Sequence, residues 1–391
     1  MTVARIAVGH LRDLVKTHPV VLVTGARQVG KTTLLTSLFP KAPYLTLDDP
    51  TLAESAEAAP QEFLAGLADG TILDEVQYVP GLFRYIKAWV DRDRRPGRLL
   101  LTGSQKFSLM QGVSESLAGR VGLLDLGGFT REELEADGRK TNLPELVWKG
   151  GFPALHAEPN QAPHLWLPSY VATYLERDVR NLLSVHNLRD FARFLRVLAL
   201  RSGQMLNFAD LSRDVGISPN TVRSWFSVLE TSGLVVSVEP WFRNQTKRII
   251  RTPKSYMTDT GLLCHLLGIS SPSQMQASPH WGAIWETWAF AQIHGWFRNR
   301  GHVSSPIHWW RDVQGNEVDF VVESPRGLVA VECKARESGK DGDAKGMDAF
   351  AKSIGSETFE RAWFLTASRA HARKGGGNVV NGSGLDRIFA P

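Results

Sequence analysis

Cysteine is scarce in this sequence, with only Cys264 and Cys333 among 391 residues. The two lie far apart and in no metal-ligand spacing, which argues against a disulfide framework and against a structural zinc site. Long apolar runs are missing too, because no uninterrupted stretch approaches the roughly 20 residues that span a bilayer. Arg5 and His10 interrupt the N-terminal segment, which therefore does not resemble a signal peptide. We expect a soluble, cytoplasmic protein with no membrane partner.

The sequence also lacks a strong excess of one charge. Lys and Arg number 45 against 40 Asp and Glu, so the formal net charge is +5. Such a mild excess permits nucleic-acid binding without demonstrating it. Apolar residues make up 43% of the chain, which is enough to bury real cores, and the length suits two to four domains.

Short apolar runs bounded by polar turns recur through residues 1–130. Runs of this kind are typical of buried parallel strands with helices between them, and they predict an α/β sheet covered on both faces. The five predicted strands are 20–24, 44–47, 71–74, 99–102 and 121–126.

The remainder of the chain is predicted to change its secondary structure twice. Residues 131–204 have mostly helical spacing, with a break at 150–153, and residues 259–391 return to a helix followed by strands. The Gly-rich and Asn-rich segment 375–384 is expected to be a loop tip or tail.

Residues 25–32 match the phosphate-binding pattern G-x-x-x-x-G-K-[ST] at every fixed position, directly after the first predicted strand. Gly25 and Gly30 let the backbone curl so that successive N–H groups point at phosphate oxygens, at the positive end of a helix dipole. Lys31 neutralises the β- and γ-phosphates, and Thr32 offers a hydroxyl to Mg²⁺. With Thr33 as the next residue of the helix, this segment predicts an ATP site.

Two acidic residues follow the third predicted strand. Asp74 is placed to orient Mg²⁺ through its water shell, and Glu75 is placed to activate the attacking water. A strand ending in Asp-Glu is common by itself. About forty residues after a phosphate loop, in one α/β unit, it predicts ATP hydrolysis.

Polar residues near the ends of the last two predicted strands complete the candidate site. Thr102, Ser104 or Gln105 either senses the γ-phosphate or positions water, or else serves only the turn. Arg120 either reaches the γ-phosphate of an adjacent subunit or forms a local salt bridge. The sequence leaves both choices open.

With these motifs the chain resembles the AAA+-type ATPases of bacteria and archaea that carry a C-terminal domain of unknown function. The resemblance covers nearly the whole chain, and it implies an ATPase core (1–130), a helical lid (131–204), a winged helix (205–258) and a nuclease-like end (259–391). Arg120 acting between subunits implies a ring, with a hexamer favoured. The matching segments are 25–33, 47–49, 73–77, 101–104, 116–120, 150–153 and 176–178.

Residues 208–215, 216–218 and 219–230 are predicted to form a helix, a turn and a second helix. Ser218 is expected to cap the second helix. Its exposed first half is the part that a recognition helix presents to the major groove. The residues expected to line that half are Asn220, Thr221, Arg223 and Ser224.

A basic segment without acidic residues runs from 240 to 258, with strand-like runs at 234–238 and 249–250. It is typical of a wing that contacts DNA phosphates, duplex or branched, without strict sequence choice. Winged helices also serve as protein-interaction modules, and that alternative stays open. The predicted phosphate contacts are Arg243, Lys247, Arg248, Arg251 and Lys254.

Two strand-like runs, 315–322 and 328–335, are predicted to pair as a hairpin. Because strand side chains alternate, Glu332 and Lys334 share one face of the second strand. Asp319 comes from the first strand and can lie beside them.

This arrangement of Asp319, Glu332 and Lys334 resembles the PD-(D/E)XK nuclease family, although Val318 stands where the family often has proline. The resemblance implies that Asp319 and Glu332 hold Mg²⁺ and that Lys334 helps activate water. Glu286 fits the family's upstream helical carboxylate. The alternative is an ordinary salt bridge on an exposed strand face.

Together these features favour an ATPase that remodels or processes branched or broken DNA as a homo-oligomer. A second interpretation is an ATP-dependent regulatory switch that binds a protein partner and carries an inactive nuclease fold. A third keeps the nuclease fold only as a DNA clamp.

Overall fold

A computed structural model describes most of the chain, in three sheets with helices around them. The described residues are 3–104, 117–139, 142–157, 161–175, 188–242, 252–302, 305–340, 342–355, 358–366, 371–372 and 377–390. Several predictions concern residues outside these ranges, namely those on Gln105, Arg243, Lys247, Arg248, Arg251, 176–178 and 249–250.

The N-terminal sheet has five parallel strands in the order β2-β3-β4-β1-β5, which confirms the predicted α/β core. The strands are β1 (Val20–Thr24), β2 (Tyr44–Thr46), β3 (Thr71–Asp74), β4 (Leu99–Thr102) and β5 (Val121–Asp125). The helices are α1 (Val8–Thr17), α2 (Lys31–Leu38), α3 (Pro50–Ala58), α4 (Pro60–Ala65) and α5 (Leu82–Arg92), with a 3₁₀ turn at Val76–Tyr78.

Strands β1, β3 and β4 are buried at every position, because helices cover both faces of the sheet. Side chains alternate between two cores. Val21 and Val23 pack into one, and Val20 and Leu22 into the other. This burial explains why the strands appear in the sequence as continuous apolar runs.

The segment after β5 is mostly helical, as predicted, and glycines interrupt it at 150–151. Among the described residues, no helix combines the length and the apolar character that a membrane span needs. The helices are α6 (Arg131–Ala136), α7 (Leu143–Lys149), α8 (Ala154–Ala157), α9 (Pro163–Tyr170), a π-helix (Val171–Leu175) and α10 (Leu188–Leu200).

The predicted helix-turn-helix is present as α11 (Phe208–Val215) and α12 (Pro219–Thr231). The Ser218 hydroxyl caps α12 by accepting a hydrogen bond from the Thr221 N–H. A three-stranded antiparallel sheet is built from strands on both sides of these helices in the chain. It is formed by β6 (Gln204–Met205), β7 (Val235–Val238) and β8 (Lys254–Met257) in the order β6-β8-β7.

The C-terminal part contains a mixed six-stranded sheet in the order β13-β14-β12-β11-β10-β9. Its strands are β9 (Ile307–Arg311), β10 (Glu317–Ser324), β11 (Gly327–Lys334), β12 (Phe359–Leu365), β13 (His371–Ala372) and β14 (Asn378–Val380). The helices here are α13 (Thr260–Leu266), α14 (Pro272–Ala277), α15 (Trp281–Asn299), α16 (Lys345–Ile354) and α17 (Asp386–Phe389).

The predicted hairpin is confirmed, since β10 and β11 pair antiparallel, while β11 and β12 run parallel. Helices α15 and α16 cover opposite faces of this sheet. Phe290 of α15 shares a core with Phe320, whereas Phe350 of α16 shares another core with Ala330.

The expectation of a loop at 375–384 is wrong for its middle part. Asn378–Val380 forms β14 and pairs parallel with β12. Val379 and Val380 are fully buried there, so two apolar residues in a Gly-rich context were sufficient to enter the sheet.

Candidate nucleotide site and C-terminal carboxylate cluster

The phosphate loop connects the end of β1 to the start of α2. Gly25 has φ +140°, and a Cβ at this position would lie 2.1 Å from the carbonyl oxygen of Leu126. Only glycine therefore fits at Gly25. Gly30, also at positive φ, is the residue that caps α2, so the loop delivers the helix N-terminus that phosphate sites use.

Lys31 is buried at the first position of α2, with 6% of its surface exposed. Its Nζ donates to the carbonyl oxygens of Gly25 at 3.1 Å and Ala26 at 3.0 Å. Burial lowers the pKa of Lys31 to about 8, although Glu75 and Asp74 act in the opposite direction. The ammonium thus lies under the loop with its charge only partly compensated.

Asp74 is the last residue of β3, and its carboxylate accepts hydrogen bonds from hydroxyl groups on three neighbouring elements. Thr32 Oγ1 donates to Oδ2 at 2.9 Å, Tyr44 Oη donates to the same oxygen at 2.8 Å, and Thr102 Oγ1 donates to Oδ1. Partial burial and the hydrogen bond to Asp74 raise the pKa of Tyr44 to about 12. The Thr32 hydroxyl and the Asp74 carboxylate are adjacent oxygen groups of the kind that Mg²⁺ prefers.

Glu75 follows in the left-handed region, at φ +55°, which is uncommon for a residue other than glycine and is often found at functional sites. Its Oε2 accepts hydrogen bonds from Ser104 Oγ at 3.0 Å and from the Gln77 side-chain amide. Arg27 Nε in turn donates to Ser104 Oγ at 3.3 Å. The structure thus brings Ser104 to Glu75, as expected for neighbouring strand ends.

Sequence reasoning did not single out Gln77 or Tyr44. Gln77 is 7% exposed, and within the described part of the chain its Oε1 has no hydrogen-bond partner. Gln77 lies two residues after Glu75, just beyond the end of β3, and that position is the sequence feature that could have marked it as part of the site. No sequence feature marks Tyr44, because its hydrogen bond to Asp74 depends on the pairing of β2 with β3.

A cleft of about 500 Å³ opens beside the phosphate loop and α2. Its lining is mainly apolar and combines the N-terminal segment, α2 and the turn after residue 150. The lining residues include Val3, Val8, Gly30, Thr33, Leu34, Leu38, Phe129, Pro153 and Ala157.

Arg120 forms the local salt bridge that the sequence left open. Its Nε and Nη2 bind the two oxygens of Asp91 at 2.8 and 2.9 Å. Asp91 also pairs with Arg94. The action of Arg120 between subunits stays a prediction.

The first half of α12 is exposed at Asn220, Arg223 and Ser224, while Thr221 is half-buried and shares a hydrogen bond with Ser218. The Arg223 guanidinium lies 4.9 Å from the ring centroid of Phe208. These side chains are accessible as predicted. Their contact with DNA remains a prediction.

Lys254 corrects the sequence interpretation. It was expected on a surface wing, but it is 4% exposed. Its Nζ lies 2.6 Å from Glu317 Oε1 and 3.2 Å from Glu286 Oε1. A buried ammonium paired with two carboxylates cannot reach a DNA phosphate in this arrangement.

Asp319, Glu332 and Lys334 come together on the paired strands β10 and β11. Asp319 Oδ2 accepts the Cys333 N–H at 2.7 Å, and Lys334 pairs with Glu332 Oε1. Burial, and then the charges of Glu286 and Glu332, raise the pKa of Asp319. Glu332 is 7% exposed, so the pair is not the exposed-face salt bridge of the alternative interpretation.

The predicted metal set of Glu286, Asp319 and Glu332 is not assembled in this arrangement. Glu286 Oε1 is engaged by Lys254 and by Tyr256 Oη at 2.6 Å. Among the residues with a described structure, no three His, Cys, Asp or Glu side chains are grouped to hold a metal ion. As they stand, these residues do not fit the Mg²⁺ that the nuclease resemblance implies.

The five-stranded parallel sheet and its phosphate loop define a P-loop ATPase of the AAA type. Comparison with known families agrees, since an AAA domain matches residues 17–135. A domain of unknown function (DUF8612) matches residues 140–273, and another (DUF4143) matches residues 281–383. The finer domain boundaries given above stay predictions.

Among curated proteins, the chain is 35% identical over 322 residues to "Uncharacterized protein Rv2008c" of Mycobacterium tuberculosis and to "Uncharacterized protein Mb2031c" of Mycobacterium bovis. Each alignment covers 82% of this chain and 71% of the relative. The chain therefore belongs to the family of these proteins, which joins an AAA domain to C-terminal domains of unknown function.

Solved structures with some likeness include a Walker-type ATPase of Pyrococcus abyssi, with 15% identity, a TM-score of 0.43 and coverage of 66% of this chain and 94% of that chain. The RuvB Holliday junction branch migration motor of Thermotoga maritima has 15% identity and a TM-score of 0.29, with coverage of 59% and 85%.

Proposed function

We propose that this protein hydrolyses ATP and uses the cycle to remodel or process branched or broken DNA. The observation that carries the first part is the grouping of Asp74 with Thr32 and of Glu75 with Ser104, at adjoining ends of parallel strands. This grouping places an oxygen donor pair for a cation next to a candidate general base, directly beside a phosphate loop.

The phosphate loop supplies the binding energy. Backbone N–H groups of the loop and the start of α2 hold the β- and γ-phosphates, and the Lys31 ammonium turns from the loop carbonyls to phosphate oxygens. Thr32 and Asp74 would hold Mg²⁺, which screens the charge that develops on the phosphates.

Glu75 takes the proton of the attacking water. Ser104 and Gln77 both hold Oε2 of this carboxylate, and Oε1 is the oxygen that we propose as the proton acceptor. A positioned base of this kind contributes typically 10²–10⁴-fold to a rate.

The apolar cleft beside α2 is the place for the adenine ring. It adjoins Gly30 and Thr33, and its roughly 500 Å³ falls within the range of cofactor pockets. Phe129 and Pro153 provide apolar walls. Ring binding there would connect the nucleotide to the turn after residue 150.

The DNA part of the proposal rests on two features. The helix-turn-helix with its small antiparallel sheet has the order of elements of a winged helix, and Asn220 and Arg223 are exposed on α12. In the C-terminal part, α15 is followed by the antiparallel strands β9–β11, then by α16 and by β12, which is parallel to β11; this order supports the PD-(D/E)XK-like fold that we propose. Phosphate contacts without strict sequence choice are the form of binding that we propose.

We further propose a homo-oligomeric ring, with a hexamer favoured, in which Arg120 completes the site of the adjacent subunit. An arginine that stabilises the transferred phosphoryl group from a neighbour raises turnover strongly. Release of Arg120 from Asp91 would be part of assembly.

The test is steady-state ATP hydrolysis by the wild type and Glu75→Gln, each with and without duplex, single-stranded and four-way-junction DNA. We expect stimulation by one DNA form and loss of hydrolysis in Glu75→Gln with nucleotide binding retained. An ATP hydrolysis rate that is unchanged by every DNA form, together with no DNA binding at low salt, would refute the DNA role.

The burial of Lys254 favours a second candidate, an ATP-dependent regulatory switch with an inactive nuclease fold. In that case the helix-turn-helix binds a protein partner. The salt dependence of binding distinguishes the DNA role from the regulatory switch, because phosphate contacts weaken steeply between about 50 and 200 mM salt. The third interpretation is that the nuclease fold serves only as a DNA clamp. Mg²⁺-dependent DNA cleavage by the wild type that is lost in Glu332→Ala would exclude it.

A further inference from the structure

Arg27 lies inside the phosphate loop, two residues after Gly25, and its side chain is half-buried. Its Nε donates to Ser104 Oγ at 3.3 Å, and Ser104 Oγ donates to Glu75 Oε2 at 3.0 Å. A single hydroxyl group therefore separates the Arg27 guanidinium from the proposed general base. This places a cation on the side of the loop where the terminal phosphate and the attacking water meet in the proposed site.

A second observation places Arg27 close to Lys31. The Lys31 Nζ donates at 3.0 Å to the carbonyl oxygen of Ala26, and this carbonyl belongs to the peptide group that joins Ala26 to Arg27. Burial is the main cause that lowers the pKa of Lys31, and the charge of Arg27 acts in the same direction. Two neighbouring cations on one short loop favour an anion between them.

Arg27 differs from Arg120 in what it requires before it can act. Arg120 binds both oxygens of Asp91, so it must be released and must then reach the site of another subunit. Arg27 is held by the loop at the nucleotide site of its own chain. An arginine in the same chain can stabilise a transferred phosphoryl group without the assembly of a ring.

We propose that Arg27 is a catalytic residue of its own chain's site, where its guanidinium binds oxygens of the γ-phosphate and distinguishes ATP from ADP. The guanidinium carries five N–H donors in a planar fork that suits phosphate oxygens.

The reaction assigns Arg27 a defined role. As the water oxygen bonds to the γ-phosphorus, the bond to the β,γ-bridging oxygen breaks and its electron pair stays with ADP. Glu75 takes one proton of the water, and the other proton stays on the phosphate product. Arg27 stabilises the negative charge on the oxygens of the transferred group.

This inference rests on the proposed ATP hydrolysis, but its first measurement does not need turnover. Calorimetry gives the affinities of wild type, Arg27→Gln and Arg27→Lys for ADP and for the β,γ-imido analogue of ATP. We expect Arg27→Gln to weaken binding of the analogue about tenfold and binding of ADP less than about twofold. Arg27→Lys keeps the charge without the planar fork and should lose less affinity for the analogue.

Turnover by the same variants is the second measurement. Arg27→Gln should lower kcat on the order of 10³-fold, as expected for loss of an arginine that binds the transferred group. Arg84→Gln removes an exposed arginine of α5 and serves as the matched control, with affinities and kcat like those of wild type. A mixture of Arg27→Gln and Glu75→Gln should stay inactive, because both residues serve the site of the same chain.

The competing explanation is that Arg27 only positions Ser104. In that case Ser104→Ala would reproduce the loss of affinity for the analogue, and adding Arg27→Gln to Ser104→Ala would weaken binding no further. That result would overturn the proposal. So would an unchanged preference for the analogue over ADP in Arg27→Gln, or recovery of activity in the mixture.

Two further outcomes are assigned in advance. If Arg27→Gln loses ADP binding as well, Arg27→Lys decides, and an equal loss of ADP and analogue affinity in that variant would also overturn the proposal. A wild type that binds both nucleotides but hydrolyses no ATP would refute the proposed function, while the affinity comparison would still test Arg27.

Discussion

The backbone N–H of Gly151 donates to Asp259 Oδ2 at 2.6 Å and so joins the turn beside the apolar cleft to the start of α13. Asp259 also caps that helix through the Leu262 N–H. A Cβ on Gly150 would lie 2.4 Å from Asp259 Oδ1, so glycine is required for this close approach. Pro153 of the same turn lines the cleft.

The first prediction concerns the pH dependence of this junction. Burial raises the pKa of Asp259 to about 6 from 3.8. Between these values the folded chain keeps a proton that the unfolded chain has released, so stability falls as pH rises. We expect the contribution of Asp259 to the free energy of unfolding to fall by roughly 3 kcal/mol over this window.

Urea unfolding of wild type and Asp259→Asn at pH 4, 5, 6 and 7 measures this contribution as a difference. The asparagine cannot titrate. It keeps one of the two oxygens that accept backbone N–H groups, and the loss of the other acceptor shifts the difference by an amount that does not change with pH. A difference that is constant with pH, or that rises, would contradict the assignment.

The second prediction concerns Lys31. Because burial lowers its pKa to about 8, the ammonium that phosphate needs is lost as pH rises through that value. We expect ATP affinity to fall above pH 8, approaching about tenfold per pH unit. Titration of a fluorescent nucleotide between pH 7 and 10 measures this, and Lys31→Arg, which does not titrate there, should give a flat profile.

The third prediction concerns Gln77, which we expect to position Glu75. Gln77→Leu removes the amide donor while retaining a similar volume, and should lower kcat by about 10–100-fold because the base is no longer held in place. KM should change little. Tyr78→Phe, at an exposed neighbouring position, serves as the control, and an equal loss in both variants would indicate a local folding defect instead.

The fourth prediction separates the two roles of Arg120. If the arginine acts between subunits, Arg120→Ala should lose turnover while Asp91→Asn, which frees Arg120, retains or increases it. If the salt bridge is the whole role, both variants should behave alike. Mixing Arg120→Ala with Glu75→Gln adds a test, since partial recovery of activity requires a site shared between subunits.

Much of the candidate site could be predicted from the sequence because its parts are local. Gly25, Lys31 and Thr32 lie within one loop, and Asp74 with Glu75 at one strand end, so spacing alone indicated their chemistry. The same holds for the helix-turn-helix, whose cap at Ser218 lies directly before α12. The hairpin of β10 and β11 could likewise be predicted from the alternation of apolar and polar residues along its strands and from the turn between them.

Only the tertiary structure decided the fate of residues whose partners lie far along the chain. Lys254 meets Glu317, which is 63 residues away, and Asp259 meets Gly151, which is 108 residues away. A basic run without acids looks like a surface wing in sequence, but burial depends on which segments pack together. Local patterns determined the elements and the phosphate chemistry here, whereas charge pairing between distant elements determined which polar residues remained accessible.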